Sequence, residues 1–284
     1  MTGSPGITAG IPVSVLILTL NEAGNIGRCI ASVTWSDDVV VLDSFSADAT
    51  VERAAAGGAR VYQRAFDNFA GQRNHALDHI EFRHDWVLHL DADEVVTDEL
   101  AREIAASIQE PGFDAYRLAS KMMFMGRWLR FSAMYPCYQV RLGRKDQLRF
   151  EQVGHGQREV IGAGQVGTLA APYLHFGFSK GLADWLERHN RYSSDEAAKG
   201  VEWLRQGSGG LAGLFSGDPS GRRRALKRLS VRLPLRPALR FIYMYVLRLG
   251  FLDGRAGFIY CRLLAMYEYW IVLKMRELKQ APKP

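Results

Sequence analysis

A chain of 284 residues with 48% hydrophobic and 23% charged side chains can bury a full core, and its composition is neither disordered nor fibrous. Its three cysteines, Cys29, Cys137 and Cys261, are odd in number and lack Cys-x-x-Cys spacing, which argues against a disulfide framework or a zinc site and for a reducing compartment. The net charge of +6 hides a division: Gly221 to Pro284 carries 15 Lys/Arg against Asp253, Glu268 and Glu277, a net of +12, so the remainder carries −6.

Met1 to Pro12 has neither a basic n-region nor a long apolar run, so no signal peptide is predicted. Val13 to Leu20 (VSVLILTL) is a nearly continuous apolar run and suits a strand buried on both faces. Ala23 to Val33 has helical spacing, and Asp38 to Leu42 reads as a second strand. The alternation continues with a helix over Ala47 to Ala56, a strand at Arg60 to Gln63, a helix over Phe69 to His79 and a strand at Asp85 to Leu90. This pattern predicts a doubly wound α/β sheet, whose ligands bind outside the carboxyl ends of the strands. Those ends carry Thr19-Leu20-Asn21-Glu22, Asp43-Ser44-Phe45-Ser46-Ala47-Asp48 and Asp91-Ala92-Asp93-Glu94.

After a helix from Asp98 to Gln109, shorter strands are expected at Tyr116 to Leu118, Cys137 to Leu142 and Arg158 to Ile161. An amphipathic helical stretch follows over Leu182 to Gln206, then a Gly/Ser-rich hinge from Gly207 to Gly221. From Arg222 to Lys279, Arg and Lys interleave with aliphatic and aromatic residues. No uncharged run there approaches the roughly 20 residues of a spanning helix, so basic amphipathic helices lying in a membrane interface are predicted instead. The expected division is 1–120 for nucleotide binding, 121–206 for the acceptor, and 207–284 for hinge and membrane association.

Asp91 and Asp93, spaced by two after an apolar strand, are paired hard oxygen donors of the kind Mg²⁺ or Mn²⁺ takes beside a diphosphate. By itself an Asp-x-Asp is equally what a helix N-cap leaves. Asp43 suits hydrogen bonds from a base or a ribose, or an Asx turn; Asp48 suits a helix cap. Arg73, opening a helix, is a candidate for contact with a pyrophosphate, or a solvated helix residue.

These segments together resemble the family 2 glycosyltransferases, in particular the lipopolysaccharide core glucosyltransferase-like branch. The resemblance is carried by SVLILTLNEAGNI (Ser14 to Ile26), VVLDSFSADAT (Val40 to Thr50), AGQRNHAL (Ala70 to Leu77), DWVLHLDADE (Asp85 to Glu94) and GFLDGRAGF (Gly250 to Phe258). It implies a GT-A fold, a mostly parallel Rossmann-like sheet flanked by helices, here with a C-terminal amphipathic helical appendage. It also implies inverting transfer from a nucleotide-diphosphate sugar, with UDP expected, to a lipopolysaccharide-core or lipid-linked acceptor at the cytoplasmic face of the inner membrane. By that likeness Asp43 contacts the nucleobase or ribose, Asp91 the nucleotide sugar and Asp93 the metal, with Thr19, Asn21 and Glu22 shaping the nucleotide pocket. Phe45 departs from the family's Asp-Ser-Gly-Ser-x-Asp loop, where a glycine stands.

One-step inversion needs a general base for the acceptor hydroxyl. FEQVGHGQREV (Phe150 to Val160) offers Glu159, with His155 as helper or substitute. His175 resembles a residue near the family's active site, and Trp128 and Tyr135 are candidate platforms for an acceptor sugar. A nucleotidyltransferase would carry a Gly-rich phosphate loop after the first strand, where this chain has Asn21-Glu22-Ala23-Gly24-Asn25. The apolar content of the basic C-terminus fits anionic lipid better than nucleic acid.

Overall fold

A computed structural model describes residues 10–153, 156–162, 164–205, 231, 233 and 235–280. The chain divides into two compact units, one formed by Met1–Trp128 with Tyr135–Lys180, the other by Leu129–Met134 with Gly181–Pro284.

The first unit is built on β1 (Val13–Thr19), β2 (Val39–Asp43), β3 (Arg60–Gln63) and β4 (Trp86–Asp91), all parallel in the order β3-β2-β1-β4. The sheet continues through β8 (Tyr138–Arg144), antiparallel to β4, then β6 (Ala115–Phe124), β12 (Tyr173–His175) and β5 (Glu94–Val95). β7 (Arg127–Trp128) and β11 (Val166–Thr168) pair with β6, while β9 (Leu148–Val153) and β10 (Gly156–Ile161) form a separate hairpin. This is the GT-A type of sheet: a parallel nucleotide-binding half joined to a mixed half through one reversed strand.

β1 reads as an unbroken apolar run because helices cover both of its faces. Val13, Val15 and Ile17 pack with α1 (Ile26–Ala31), α2 (Thr50–Ala56) and α4 (Asp98–Ser107) through Ile26, Ile30, Ala54, Leu100 and Ile104. Leu16, with Val40, Leu42 and Val87, meets Ala76 of α3 (Phe69–His79) and Ile80 on the other side. Burying such a Leu or Ile contributes about 1.5–3 kcal/mol each. Asn68 caps α3 by accepting from the Gly71 amide at 2.7 Å, and Thr97 caps α4 by accepting from Leu100 at 3.2 Å, so Asp93 is not a helix cap.

In the second unit α5 (Gly181–Arg205) packs on α7 (Gly254–Gln280) through Ala197, Val201, Ile271 and Met275. Gly200 makes the approach possible, since a Cβ there would lie 2.8 Å from the Met275 sulfur. Lys274 Nζ sits 2.5–2.8 Å from oxygens of Asn190, Ser193 and Ser194, closing the same seam with polar contacts. Between them run α6 (Arg236–Ile242), a π-helical turn (Tyr243–Leu247) and a 3-10 turn (Gly250–Asp253). Asp253 is buried, and its carboxylate accepts from the amides of Arg130, Phe131 and Ser132 at 3.2, 3.0 and 2.7 Å and from the Ser132 hydroxyl at 2.6 Å. The block Gly250 to Phe258 is wound tightly enough that a Cβ at Gly257 would meet the Gly250 carbonyl at 2.3 Å.

Gly250–Gln280 is long and apolar enough, by length and composition, to cross a membrane. Its arginines are spaced singly among apolar residues, so no long uncharged run marks it in the sequence. The hinge expected at Gly207 to Gly221 lies outside the described residues.

Candidate active site

The carboxyl ends of β1, β2 and β4 stand side by side: Thr19 pairs with Asp43, and Leu18 with Asp91. With strands about 4.8 Å apart, Asp43 and Asp91 end within roughly 10 Å of each other on either side of β1. Thr19 Oγ1 donates to Asp43 Oδ1 at 2.8 Å, and the Ser46 amide donates to Oδ2 at 2.8 Å. The loops after β1 and β2 are laced together: Asn21 accepts from the Ala47 amide at 2.8 Å and its own amide donates to Ser46 Oγ at 2.8 Å. The Glu22 amide donates to Thr50 Oγ1 at 2.7 Å, and the Ala23 amide to Asp48 at 3.1 Å. Thr19, Asn21, Glu22 and Asp43 are thereby brought into one rim.

Asn21 and Phe45 both hold positive φ, +54° and +60°. Asn tolerates that region; a bulky aromatic costs about 1–2 kcal/mol there. The glycine usual at position 45 in the resembled family matches this backbone, and Phe45 instead stands 58% exposed at the rim.

Glu22 is held by Lys180 Nζ at 2.5 Å and by Asn25 at 2.7 Å, and Lys180 also donates to the Leu20 carbonyl at 3.0 Å. Burial pushes the Glu22 carboxyl up despite these partners.

Around Asp91 lies a network of two arginines and two acids. Arg73 of α3, buried, donates from Nη2 to Asp91 Oδ1 at 2.6 Å and from Nε to Gln157 at 3.2 Å. Arg141 of β8, also buried, donates from Nη2 to Asp91 Oδ2 at 2.9 Å and to Glu94 Oε1 at 2.6 Å. Glu94 Oε2 accepts from the Asp91 amide at 2.9 Å. Burial would raise the Asp91 carboxyl, but the charges of Arg141 and Arg73 outweigh it and hold it well below its usual range. At Glu94 burial wins over Arg141 and the carboxyl is pushed up to about 7.

Asp93 meets a different partner. Its Oδ2 lies 3.4 Å from His175 Nε2, and its carbonyl accepts from the Phe176 amide at 2.9 Å. Burial lowers the His175 imidazole, yet the hydrogen bond and charge of Asp93, with Glu94 and Asp91 behind it, push it up to about 9. On β6, Met122 pairs with His175 and the next residue, Met123, with Trp128. Trp128 and Tyr135 meet edge to face at 5.0 Å, and the Lys121 ammonium stands 4.6 Å over the Trp128 ring.

Glu159 lies on β10, opposite Phe150 of β9. Alternation places it on the same face as Gln157, which touches Arg73, and the Glu159 charge is among those acting on the Arg73 guanidinium. His155 lies outside the described residues.

The glycosyl transferase family 2 model matches residues 14–153, the segment that contains the laced rim and the acidic pair. The chain belongs to glycosyl transferase family 2. An uncharacterized glycosyltransferase of Rickettsia felis is 28% identical over 280 residues, 93% of this chain and 89% of the relative. The lipopolysaccharide core biosynthesis glycosyltransferase LpsC of Rhizobium meliloti is 26% identical over 201 residues, 68% of this chain and 73% of the relative. Among solved structures, the mannosyltransferase PcManGT of Pyrobaculum calidifontis, in complex with GDP-Man and Mn²⁺, is matched over 98% of this chain and 90% of that one, with 16% identity and a TM-score of 0.49.

In this glycosyltransferase the sequence reading passed over Arg141, Glu94 and Lys180. Glu94 was visible as the end of the Asp91 to Glu94 run, but an Arg inside a strand such as QVRLGR reads as outward-facing. Arg73, expected to reach a pyrophosphate, instead has its guanidinium under Asp91.

Proposed function

We propose that the chain transfers a sugar, with inversion, from a nucleotide-diphosphate donor, UDP-linked by expectation, to a lipopolysaccharide-core or lipid-linked glycan. The observation that supports this reading is the placement of Asp43 and Asp91 at the carboxyl ends of β2 and β4, on either side of β1, with Asp93 two residues further on and 3.4 Å from His175 Nε2. The name of the Rhizobium relative supports the choice of envelope acceptor.

The residues present fit a divalent cation. Asp93 offers one carboxylate at the end of β4, and His175, 3.4 Å from it, could join only as the neutral imidazole, after losing the proton it shares with Asp93. Among the described residues no three His, Cys, Asp or Glu side chains are grouped to hold a metal, so a cation bound through Asp93 would need phosphate oxygens and water for its remaining ligands, as Mg²⁺ and Mn²⁺ accept. When bound, the cation neutralises charge developing on the leaving diphosphate. Asp43 and the Asn21 to Glu22 loop hold the nucleoside, and Arg73 and Arg141 fix the Asp91 carboxylate in place toward the donor sugar. Glu159 takes the acceptor proton, assisted by His155, and Trp128 with Tyr135 offers a stacking face for the acceptor.

A panel of nucleotide sugars in thermal unfolding, each with Mn²⁺ and with chelator, tests this reading. One donor at about 100 times its dissociation constant is expected to stabilise the protein by about 2.7 kcal/mol with Mn²⁺ and by much less without it. Indifference to every nucleotide sugar would overturn it.

Phe45, at the nucleoside rim, is proposed to pack on the base. Phe45→Gly relieves the positive-φ strain, and glycine's extra unfolded-state entropy takes back roughly 0.5–1 kcal/mol, so stability should hold or rise slightly. Loss of about 1 kcal/mol of stacking should weaken donor binding about fivefold, measurable by calorimetric titration.

A further inference from the structure

We infer that the turn between α6 and α7 is a shallow membrane wedge that inserts into the interface of an anionic bilayer without spanning it. The inference is independent of the glycosyl-transfer reading, since it rests on the second unit alone.

Leu235 stands 78% exposed and Leu247 69%, and between and after them Ile242, Val246, Leu249, Phe251 and Leu252 also face outward. These belong to one surface rather than to scattered positions, because aromatic contacts stitch the segment together. Phe241 stacks on Tyr245 at 5.1 Å, Tyr245 meets Phe251 at 6.3 Å, and Phe258 of α7 meets both Phe241 and Tyr245, at 6.0 and 5.5 Å. A soluble monomer rarely leaves so continuous an apolar surface to water.

The charge pattern selects the occupant. Arg236 is buried and paired with Glu268 at 2.7 Å, and the Asp253 carboxylate is turned inward onto the amides of Arg130, Phe131 and Ser132, so the charge this surface presents comes from Arg248, Arg255 and Arg262, all exposed. Arg248 and Arg255 are exposed beside Leu247, Leu252 and Phe258, where guanidinium groups can reach lipid phosphates while the apolar side chains enter the acyl boundary. A second copy of this chain is disfavoured, because a twofold contact would set the same arginines against each other.

The packing sets the depth. Gly250–Gln280, which includes α7, is long and apolar enough to cross, but the C-terminal half of α7 is seated on α5 through Ile271, Met275 and Lys274. α5 carries Asp184, Glu187, Arg188, Arg191, Asp195 and Lys199. Carrying α7 through a bilayer would take that polar helix with it, or strip Ile271 and Met275 of their partners. Only the turn and the first part of α7 therefore enter the lipid.

The test is co-sedimentation of the full chain with vesicles of phosphatidylcholine alone and with about 30% phosphatidylglycerol, followed by a carbonate wash at high pH. The wild type is expected to bind the anionic vesicles at least tenfold more tightly and to be released by the wash. Leu247→Glu/Leu252→Glu and Arg248→Glu/Arg255→Glu should each lose at least tenfold in vesicle affinity, with unfolding temperature, gel-filtration volume and nucleotide-sugar thermal shift unchanged. Equal binding by both variants would overturn the wedge. So would retention after the wash, which would mean a spanning helix, or a wild-type dimer that the leucine variant dissociates, which would mean that a second copy covers the face.

Discussion

Asp93→Asn should reduce glycosyl transfer on the order of 10³-fold while leaving the protein folded, its stability lowered on the order of 1–3 kcal/mol by the missing His175 partner. The loss follows if Asp93 supplies a cation's charged ligand: stabilisation of a leaving diphosphate by an ion is a matter of several kcal/mol, and each 1.36 kcal/mol is a factor of ten. Asparagine keeps the carbonyl that holds the Phe176 amide but loses the charge that pairs with His175, so the fold should persist with reduced stability. The Mn²⁺-dependent part of the donor's thermal shift should vanish with the activity, which separates loss of the ion from loss of the fold. Asp91→Asn is the poorer probe of the same idea. Its carboxylate compensates Arg73 and Arg141 together, so its removal disturbs both buried guanidinium groups and mixes a stability effect into the kinetics. Near-normal, Mn²⁺-stimulated turnover in Asp93→Asn would remove Asp93 from the metal's coordination.

The parallel half of the sheet was legible because its determinants are local. Val13 to Leu20 and Asp85 to Leu90 are continuous apolar runs, and a strand covered on both faces has no other way to be written. Phe69–His79 appears with the bounds the sequence predicts, set at its start by the Asn68 cap. The helix expected from Ala23 begins at Ile26, since Glu22, Ala23 and Asn25 are drawn into the laced rim by Thr50, Asp48 and Ser179. The mixed half was harder. β5 and β12 have two and three residues, too few to show a period, and they exist only because each finds a partner far along the chain. The acidic residues of the site could be read because strand ends announce themselves. What fixes Asp91 could not, since Arg73 and Arg141 lie 18 and 50 residues from it and their inward direction is a tertiary fact.

That inward direction makes Arg141→Met the largest stability loss expected in the first unit, about 3–5 kcal/mol at pH 8, read from urea unfolding. Methionine matches much of the volume, so the cost is electrostatic: Glu94 is left buried without the guanidinium that donates to it at 2.6 Å, and Asp91 keeps only Arg73. The loss should depend on pH, with a sign fixed by linkage. The Glu94 carboxyl is already raised to about 7, above its value of 4.5 in an unfolded chain, and removing a neighbouring positive charge raises it further. A group raised in the folded state binds its proton more tightly there, so it destabilises increasingly as pH climbs from about 4.5 through the folded value. The deficit of Arg141→Met against the wild type should therefore shrink at pH 5, where Glu94 can take a proton and stay buried as a neutral acid, and widen toward pH 8. A deficit that is flat across this range would mean that Glu94 is not the group left uncompensated, and that Arg141 acts on the fold through packing against Tyr173, whose ring lies 5.8 Å from its guanidinium carbon.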